Sequence, residues 1–586
     1  MRIISIQPGH NATAGFFENG KCKFILHEEK FTNIKNHFGW PENSLSFLSK
    51  QIDFNKIDYF VFGSRGHLLS ATPSNKKDHF ETLGSSNLRK IWDLFSYTIL
   101  GKSLSTEIKN FILYKKISPK ARESIENWLF ETYKIPKEKL FYFDHHLCHC
   151  LTPFYFYGLD KEKEKILLIS MDGAGDYAFS KIYLYDPKKF CLELIAESPY
   201  NSSLGVLYSK MTEFLGMKVN EHEHKVMGLA AYVLNERYFN HIYEKLSKLI
   251  WVDYKTLTFK SKFDPNLAHL YFKKHFSFER FDNLAAAIQK FTEDLTLKWI
   301  KAIINKTKIK KIALSGGVFM NVKMNQKILE LDEIEKIYFQ PSAGDESLVI
   351  GAACKLFLEK QVKLSPIKTM YLGLSYSDKY IKDFLEKHRY FRKYKISYFK
   401  HGLEKEIAKL LADFKIVGLF RGKGEWGARS LCNRAILANA SDLKSFYEVN
   451  DAIKMRDFWM PFAPTIKDDW AEKYIKDWKK IKEKAFDSTK YMILTFNSTP
   501  LAQNHLRAAI HQKDKTLRPQ IVSKNDNPFL YSLLNHYEKL TKMGGFLNTS
   551  LNLHGFPLVG TLEQALFTFE NSNLKYLVLE NFLIEK

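Results

Sequence analysis

Apolar and polar positions alternate in short bursts at the start of the chain. Residues 3–6 form an apolar run, Pro8-Gly9-His10-Asn11 is a polar turn, and a second apolar run opens close behind it. The same order recurs where residues 166–169 lead into Met171-Asp172-Gly173-Ala174-Gly175-Asp176. Each unit reads as a β-hairpin whose glycine turn can hold an anion on its backbone N–H groups. A spacing of about 160 residues between the copies predicts two related α/β lobes. Helical spacing of apolar residues covers 203–208 and 284–305. Residues 311–314 read as a strand ending in Ser315-Gly316-Gly317, with a helix from Val318. Residues 337–340 read as a strand ending in Pro341-Ser342-Ala343-Gly344-Asp345, with a helix over 347–358. Strand, glycine turn and helix in repeated order predict an α/β architecture with function at the strand ends.

The pattern weakens through residues 363–375, which places a domain boundary near 370. The first domain is then 1–370, with lobes at about 1–150 and 160–365. A basic helical insertion is expected over 75–138, with helical runs at 91–100 and 121–133. The second domain is 371–586, with strands expected at 416–420 and 545–549.

A chain of 586 residues is too long for a single core, and two to four domains are expected. Its 45% hydrophobic and 26% charged residues are those of an ordinary globular protein. The net charge of +23 (88 basic minus 65 acidic residues) raises a nucleic-acid reading. Against it, the lysines are spread along the chain and no run of five or six basic residues occurs, so attraction of small anionic substrates is the stronger expectation. The cysteines at 22, 148, 150, 191, 354 and 432 show no CxxC spacing, so neither a zinc knuckle nor a disulfide framework is signalled. No stretch approaches 18 apolar residues and no leader pattern opens the chain. A cytoplasmic chain without a membrane partner is expected.

Candidate chemistry centres on His145 and His149, four apart in Asp144-His145-His146-Leu147-Cys148-His149-Cys150. On a helix, such positions lie about 5–6 Å apart on one face, close enough to share a metal ion. Two glycine-flanked acids, Asp172 and Asp345, could complete an N/O ligand set, and such a site suits metal-assisted phosphoryl or acyl chemistry. Cys148 and Cys150 flank His149 but are soft ligands beside hard carboxylates, so they are read as packing residues. Ser315-Gly316-Gly317 between strand and helix fits a phosphate site.

The second domain is marked by cations. Arg421, Lys423, Arg429 and Arg434 fall within fourteen residues, followed by Lys454, Arg456, Arg507, His511 and Arg518. Guanidinium groups suit bidentate capture of phosphate or carboxylate. Arg429 and Arg434, set among small and apolar residues, are expected to serve in that way. Asn548-Thr549-Ser550-Leu551-Asn552 offers uncharged hydrogen-bonding groups that could orient a small polar ligand.

These residues resemble the carbamoyltransferase family, which includes the nodulation, cephamycin and tobramycin O-carbamoyltransferases. The resemblance rests on the opening hairpin with His27-Glu28-Glu29-Lys30-Phe31, the His145-His146-x-x-His149 motif and Asp172-Gly173-x-Gly175. It continues through Gly205-x-Leu207-Tyr208, Lys225-Val226-Met227-Gly228-Leu229-Ala230, Ser315 to Asn321 and Ala343-Gly344-Asp345. In the second domain it is carried by Glu425-x-Gly427-x-Arg429-Ser430-Leu431-x-Asn433-Arg434, Pro461 to Pro464, Arg518-Pro519-Gln520-x-Val522 and Leu547 to Asn552.

The resemblance implies a duplicated actin-like ATPase (TsaD-like) domain followed by an α+β YrdC-like domain. Carbamoyl phosphate and ATP, with Mg2+, would form carbamoyl adenylate in the second domain. The first domain, holding a divalent metal expected to be Fe(II), would carry the carbamoyl group to a hydroxyl of a sugar or secondary metabolite. By motif, His145, His149, Asp172 and Asp345 match metal ligands. Gly173, Gly175, Gly316, Gly317, Asn321 and Gly344 match nucleotide contacts. Arg421, Arg429, Lys454, Arg518, Asn548 and Ser550 match binders of carbamoyl phosphate and ATP, with Lys454 and Arg518 also in catalytic roles. His10 matches a residue near the acceptor hydroxyl, as base or orienter. A homodimer is allowed as the assembly.

Two positions depart from the family pattern. Met460 stands where many members have an arginine, so either Arg456 takes that role or the chain belongs to a subgroup. Asn11-Ala12-Thr13 replaces Asp-Ser-Ala in the first turn. The competing reading is a tRNA threonylcarbamoyladenosine-type enzyme, favoured by the net charge but not by the second-domain motifs. A hydrogenase-maturation carbamoyltransferase would carry CxxC motifs, and a non-enzymatic ATP-binding scaffold would carry a broken metal site. Neither is seen.

Overall fold

The computed structural model describes residues 1–65 and 118–586. The chain forms two compact units, Met1–Glu28 with Asn36–Lys368, and Thr369–Lys586 with Glu29–Lys35. The short excursion of residues 29–35 into the second unit has no counterpart in the sequence pattern.

The first unit contains two five-stranded sheets of the same design. One joins β1 (Arg2–Gln7), β2 (Thr13–Glu18), β3 (Lys21–His27), β4 (Tyr59–Phe62) and β5 (Leu140–Tyr142) in the order β3-β2-β1-β4-β5. The other contains β6 (Ile166–Gly175), β7 (Ala178–Asp186) and β8 (Cys191–Pro199). It is completed, beyond the separate hairpin of β9 (Ile250–Asp253) and β10 (Thr258–Ser261), by β11 (Lys311–Ser315) and β12 (Lys336–Phe339). Its order read from the β8 edge is β8-β7-β6-β11-β12. In both sheets the first three strands are antiparallel and the last two run parallel to the central one. This repeated topology is the duplicated actin-like arrangement, and the two hairpins recognised in the sequence open its two halves.

The halves exchange helices. The helix His145–Tyr157, which follows the first sheet, packs on β6, β7 and β11. The helix Leu348–Glu359, which follows the second sheet, packs on β1, β2 and β4. The two helices also pack on each other, with Gly351 against the Cys148 carbonyl, where any β-carbon would overlap. Gly351→Ala is therefore expected to lower stability by about 1–3 kcal/mol, the range for overpacking and its relief by backbone shift. Thermal unfolding of the purified variant checks this.

Other sequence expectations map closely. Helices occupy Leu204–Phe214 and Phe281–Thr307. After Ser315, a single 3-10 turn at Gly317–Met320 precedes the helix Val322–Leu329, so the helix starts later than Val318. Of the expected insertion over 75–138, the run at 91–100 lies outside the described residues, whereas the helix Ser118–Tyr133 covers the run at 121–133. Among the described residues no helix is long and apolar enough to cross a membrane.

The second unit is built on one mixed sheet of eight strands. In chain order these are β13 (Lys395–Tyr398), β14 (Val417–Phe420), β15 (Arg434–Ala438) and β16 (Ala463–Lys467). A separate two-stranded piece, β17 (Phe496–Asn497) and β18 (Thr516–Leu517), precedes β19 (Gln520–Val522), β20 (Gly545–Ser550), β21 (Tyr576–Leu579) and β22 (Phe582–Glu585). The sheet order is β13-β22-β21-β14-β15-β20-β16-β19. The amphipathic helices Leu403–Ala412 and Pro528–Thr541 bury Ile407, Leu411, Leu533 and Tyr537 with Val417, Leu437 and Phe546 of the sheet. This α+β unit is the class expected for the second domain.

Candidate functional sites

In the first unit, strand ends meet a helix start. Asp144 caps the helix His145–Tyr157 by accepting from the Leu147 N–H, which puts His145 at its first position and His149 one turn on. Their Nε2 atoms lie 3.1 Å apart. Asp172, near the end of β6, places Oδ2 at 3.3 Å from His145 Nε2 and 3.8 Å from His149 Nε2. Asp345, in the turn after β12, places Oδ1 at 3.6 and 3.4 Å from the same two nitrogens. All four ligand atoms lie within 4.8 Å of one another. Ligands about 2.0–2.2 Å from one cation at ordinary coordination angles stand roughly 3–3.5 Å apart, so the set fits a metal ion with two imidazole nitrogens and two carboxylate oxygens.

Neighbouring backbone holds this geometry. Gly317 N–H donates to Asp172 Oδ1 at 2.7 Å, leaving Oδ2 to face the imidazoles. A β-carbon on Gly317 would lie 2.5 Å from that oxygen. Gly316 has φ +102°, donates to the Ala343 carbonyl at 3.0 Å, and lies against the Met171 carbonyl with no room for a side chain. The ends of β6, β11 and β12 are thereby drawn together, as expected for a site at the carboxyl ends of parallel strands.

Electrostatics agree with a cation site. Burial alone would lower the pKa of both imidazoles, but the acids reverse it. The charge of Asp345 acts most on His145, and hydrogen bonds that His149 donates to Asp172 and Asp345 push it up to about 9. Burial would raise Asp172, yet its bonds to His145 and His149 hold it well below the usual carboxylate range. The two acids thus favour positive charge at the point where the imidazoles meet. His146, between the two, points elsewhere. It bonds Ser170 Oγ and the Ala178 carbonyl, both at 3.0 Å, and burial pushes its pKa well down. Cys148 and Cys150 are buried, with thiol pKa values pushed up by burial.

The expected nucleotide contacts differ in their surroundings. A β-carbon on Gly173 would meet nothing within 4 Å, which leaves open space there. Gly175 is packed against the His145 ring, and Gly344 against Glu346. Asn321 caps the helix Val322–Leu329 through Met324 N–H and pairs its amide with Gln289 at 2.9 and 3.0 Å. Its side chain is thus engaged within the protein. His10 is partly exposed in the first turn, beside Asn11, which donates to Glu346 Oε2 at 3.2 Å. Burial raises the Glu346 carboxyl, and the bond from Ser342 and the charge of His10 pull it back. The Asn11 amide in place of a carboxylate avoids setting a second acid against buried Glu346.

In the second unit, Arg429, Arg456 and Arg518 form a mutually repelling group. Burial lowers the Arg518 pKa most, followed by the charges of Arg429 and Arg456, and it ends well below the ordinary arginine value. Arg456 is brought down to about 10 by burial and then by Arg429. No carboxylate is among the charges acting most strongly on either group. Among the described residues Arg518 makes no side-chain hydrogen bond or ion pair. Lys454 ends a π-helical turn, Asn450–Lys454, of the kind that often marks functional positions. Its buried ammonium donates to the Ser550 carbonyl at 2.6 Å, to Ser550 Oγ and the Asn552 carbonyl at 3.1 Å, and to Asn552 Oδ1. Burial, then Arg456 and Lys35, lower its pKa well below the usual lysine range.

The other expected cations are used differently. Arg434 is 1% exposed and donates to the carbonyls of Arg421, Asn433, Leu374 and Gly422 at 2.8–3.0 Å. It also stacks 3.7 Å over Phe420. The expectation that Arg434 captures an anion is thus corrected: its donors are spent on backbone, which a short sequence window could not show. Arg421 is drawn toward Glu580 (3.7 Å), bonds Asn581 at 3.3 Å and stacks 3.9 Å over Phe529. Asn548 donates to the Ser430 carbonyl and Thr465 Oγ1 at 3.1 Å, within a buried neutral network. Arg456, left out of the expected binders except as a stand-in at Met460, is in the group. It reaches Thr549 Oγ1 at 2.9 Å, and its Lys454-x-Arg456 spacing was the available signal.

Comparison with known proteins matches both parts of the chain. Residues 2–354 match the family described as Carbamoyltransferase N-terminus, and residues 408–586 the one described as Carbamoyltransferase C-terminus. Protein MJ1058 of Methanocaldococcus jannaschii is 29% identical, covering 100% of both chains. Nodulation protein NolO of Bradyrhizobium diazoefficiens is 26% identical over 76% of this chain and 79% of its own. Nodulation protein NolNO of Sinorhizobium fredii is 26% identical over 77% and 65%. Among solved structures, T. kodakarensis HypF aligns over 62% of this chain and 49% of its own, with 12% identity and a TM-score of 0.32.

Proposed function

The chain belongs to the carbamoyltransferase family, and we propose that it is an ATP-dependent O-carbamoyltransferase that forms carbamoyl adenylate before transferring the carbamoyl group to an acceptor hydroxyl. The observation that carries this reading is the pairing, in one chain, of two sites of opposite character. One is a buried imidazole–carboxylate cluster at the strand ends of the duplicated unit. The other is an arginine group beside a buried lysine, in which burial and neighbouring guanidinium charges hold Arg456 and Arg518 below the ordinary arginine value.

In the second unit, Arg429, Arg456 and Arg518 bind the phosphate oxygens of carbamoyl phosphate and ATP, and the anions relieve their mutual repulsion. Lys454 supplies a point charge at the phosphorus that changes bonding. Arg456 takes the part that the family pattern gives to an arginine at Met460. The reaction converts carbamoyl phosphate, ATP and water to carbamoyl adenylate, phosphate and pyrophosphate.

In the first unit, the acceptor oxygen bonds to the carbamoyl carbon, the bond from that carbon to the AMP oxygen breaks, and AMP leaves. The turns at Gly173 and Ser315-Gly316-Gly317 receive the nucleotide, and His10 takes or orients the hydroxyl proton. His145, His149, Asp172 and Asp345 hold the divalent cation, which supplies Lewis acidity and neutralises phosphate charge when bound. Two hard and two borderline donors suit iron(II) among first-row metals. The acceptor is a sugar or small-molecule alcohol.

The full chain with ATP, Mg2+ and carbamoyl phosphate is expected to release pyrophosphate without any acceptor. Omission of carbamoyl phosphate should reduce the release to background. Release that is equal with and without carbamoyl phosphate, or none with metal-loaded protein, contradicts the proposal. Acceptors are then identified by mass spectrometry, from the gain of one carbamoyl group.

A further inference from the structure

We propose that Asp176 is a positioning residue for the metal centre, fastening the start of the helix His145–Tyr157 so that the His145 imidazole is fixed toward the cation. This inference rests on the reading of His145, His149, Asp172 and Asp345 as a metal site.

His145 is the first residue of its helix, where intrahelical bonds no longer hold the backbone and fraying begins. His149, one turn further in, is fixed by the helix itself. A ligand on an end turn needs an outside tether. Asp176 provides it. Its Oδ2 accepts from the His145 N–H at 2.9 Å and from the Arg65 N–H at 2.9 Å. Its Oδ1 accepts from Ser64 Oγ at 3.0 Å and from the Arg65 N–H at 3.2 Å. One buried carboxylate thus binds the helix start to the chain segment that follows β4. A carboxylate at a helix N-terminus also meets the positive end of the helix dipole.

The turn that carries Asp176 supports the same role. Asp176 and Tyr177 both have positive φ, 42° and 73°, two successive side-chain-bearing residues in the left-handed region. Positive φ at both positions is what the two-residue hairpin turn between β6 and β7 requires, so the strand pairing fixes the turn that carries Asp176. The preceding Gly175 lies so close to the His145 ring that a β-carbon would overlap three ring atoms. The one turn therefore grips His145 by its backbone N–H and by its ring. Outer groups of this kind orient metal ligands, and their loss typically weakens metal binding by about 10–100-fold.

Cobalt(II) binding to the metal-free full chain, followed by its visible ligand-field bands, tests the proposal. Asp176→Asn keeps the side-chain shape but turns an N–H toward at least one donor. It is expected to weaken cobalt binding about 10–100-fold and to shift the bands. Ser64→Ala removes one of the carboxylate's donors and is expected to weaken binding several-fold, which gives a reading even if Asp176→Asn fails to fold. Asp264→Asn, which alters a cap elsewhere in the same unit, is the control for general loss of stability. It should bind cobalt as the parent does. Unchanged affinity and bands in folded Asp176→Asn, or in Ser64→Ala where the first does not fold, overturn the proposal. Equal weakening in Asp264→Asn does the same. A parent chain that binds no cobalt overturns the metal reading itself, and the inference with it.

Discussion

Replacing His149 with alanine is expected to abolish stoichiometric binding of a divalent first-row metal ion, with affinity falling by at least about 10³-fold, or roughly 4 kcal/mol. The size follows from where the imidazole sits. His149 is 0% exposed, and its Nε2 lies within 3.1–3.8 Å of the other three ligand atoms. Alanine leaves a buried gap that a distant side chain cannot fill. It also removes the group that carries positive charge between Asp172 and Asp345, so two carboxylates face His145 alone. Leaving such charges uncompensated costs about 3–5 kcal/mol when burial is complete. Asp172 and Asp345 keep 12% and 17% side-chain exposure, so a loss of about 1–3 kcal/mol is expected in the metal-free chain. Metal titration and thermal unfolding report the two effects separately. Carbamoyl transfer should fail in this variant, whereas adenylate formation in the second unit should persist.

Arg518→Met is expected to act in the opposite sense on stability. The guanidinium is partly buried beside Arg429 and Arg456, and its charged form is disfavoured in the fold. A cationic group whose folded pKa is lowered costs stability at every pH below that value. The cost is therefore present at neutral pH and disappears only in strong alkali. An apolar side chain of similar volume removes it and keeps the packing, so the ligand-free chain should gain about 1 kcal/mol. Phosphate binding should suffer. Loss of one charge-assisted contact to a transferring group typically costs about 10²–10³-fold in rate. Carbamoyl-phosphate-dependent pyrophosphate release should drop by that amount while the melting temperature rises. A variant both less stable and equally active would remove the arginine group from the site.

Stability and function pull apart at these arginines, and that contrast explains what the sequence could and could not reveal. Strands and helices were legible because their signal is local. The runs before Pro8 and Met171, and the spacing over residues 284–305, each specify an element by its own period. The clustering of His145, His149, Asp172 and Asp345 was legible because two share a helix face and two sit in glycine turns whose close backbone approach leaves a mark in sequence. The cations were not separable. Arg429 and Arg434 stand in the same small-residue segment, yet Arg434 fills the carbonyl cage formed by residues 374, 421, 422 and 433. Leu374 lies sixty residues away, beyond any local pattern. Arg421 is claimed by Glu580 and Phe529 on the same grounds. Asp176 was also missed as a tether, because its partners Ser64 and Arg65 precede it by more than a hundred positions. The transfer of residues 29–35 to the second unit is likewise a long-range outcome.

The central claim is that adenylate formation and carbamoyl transfer are divided between the arginine group and the imidazole–carboxylate cluster. It is tested most directly by measuring carbamoyl-phosphate-dependent pyrophosphate release in His149→Ala and Arg518→Met side by side. The prediction is near-parental release in His149→Ala and loss of about 10²–10³-fold in Arg518→Met. Loss in His149→Ala with full release in Arg518→Met would contradict it.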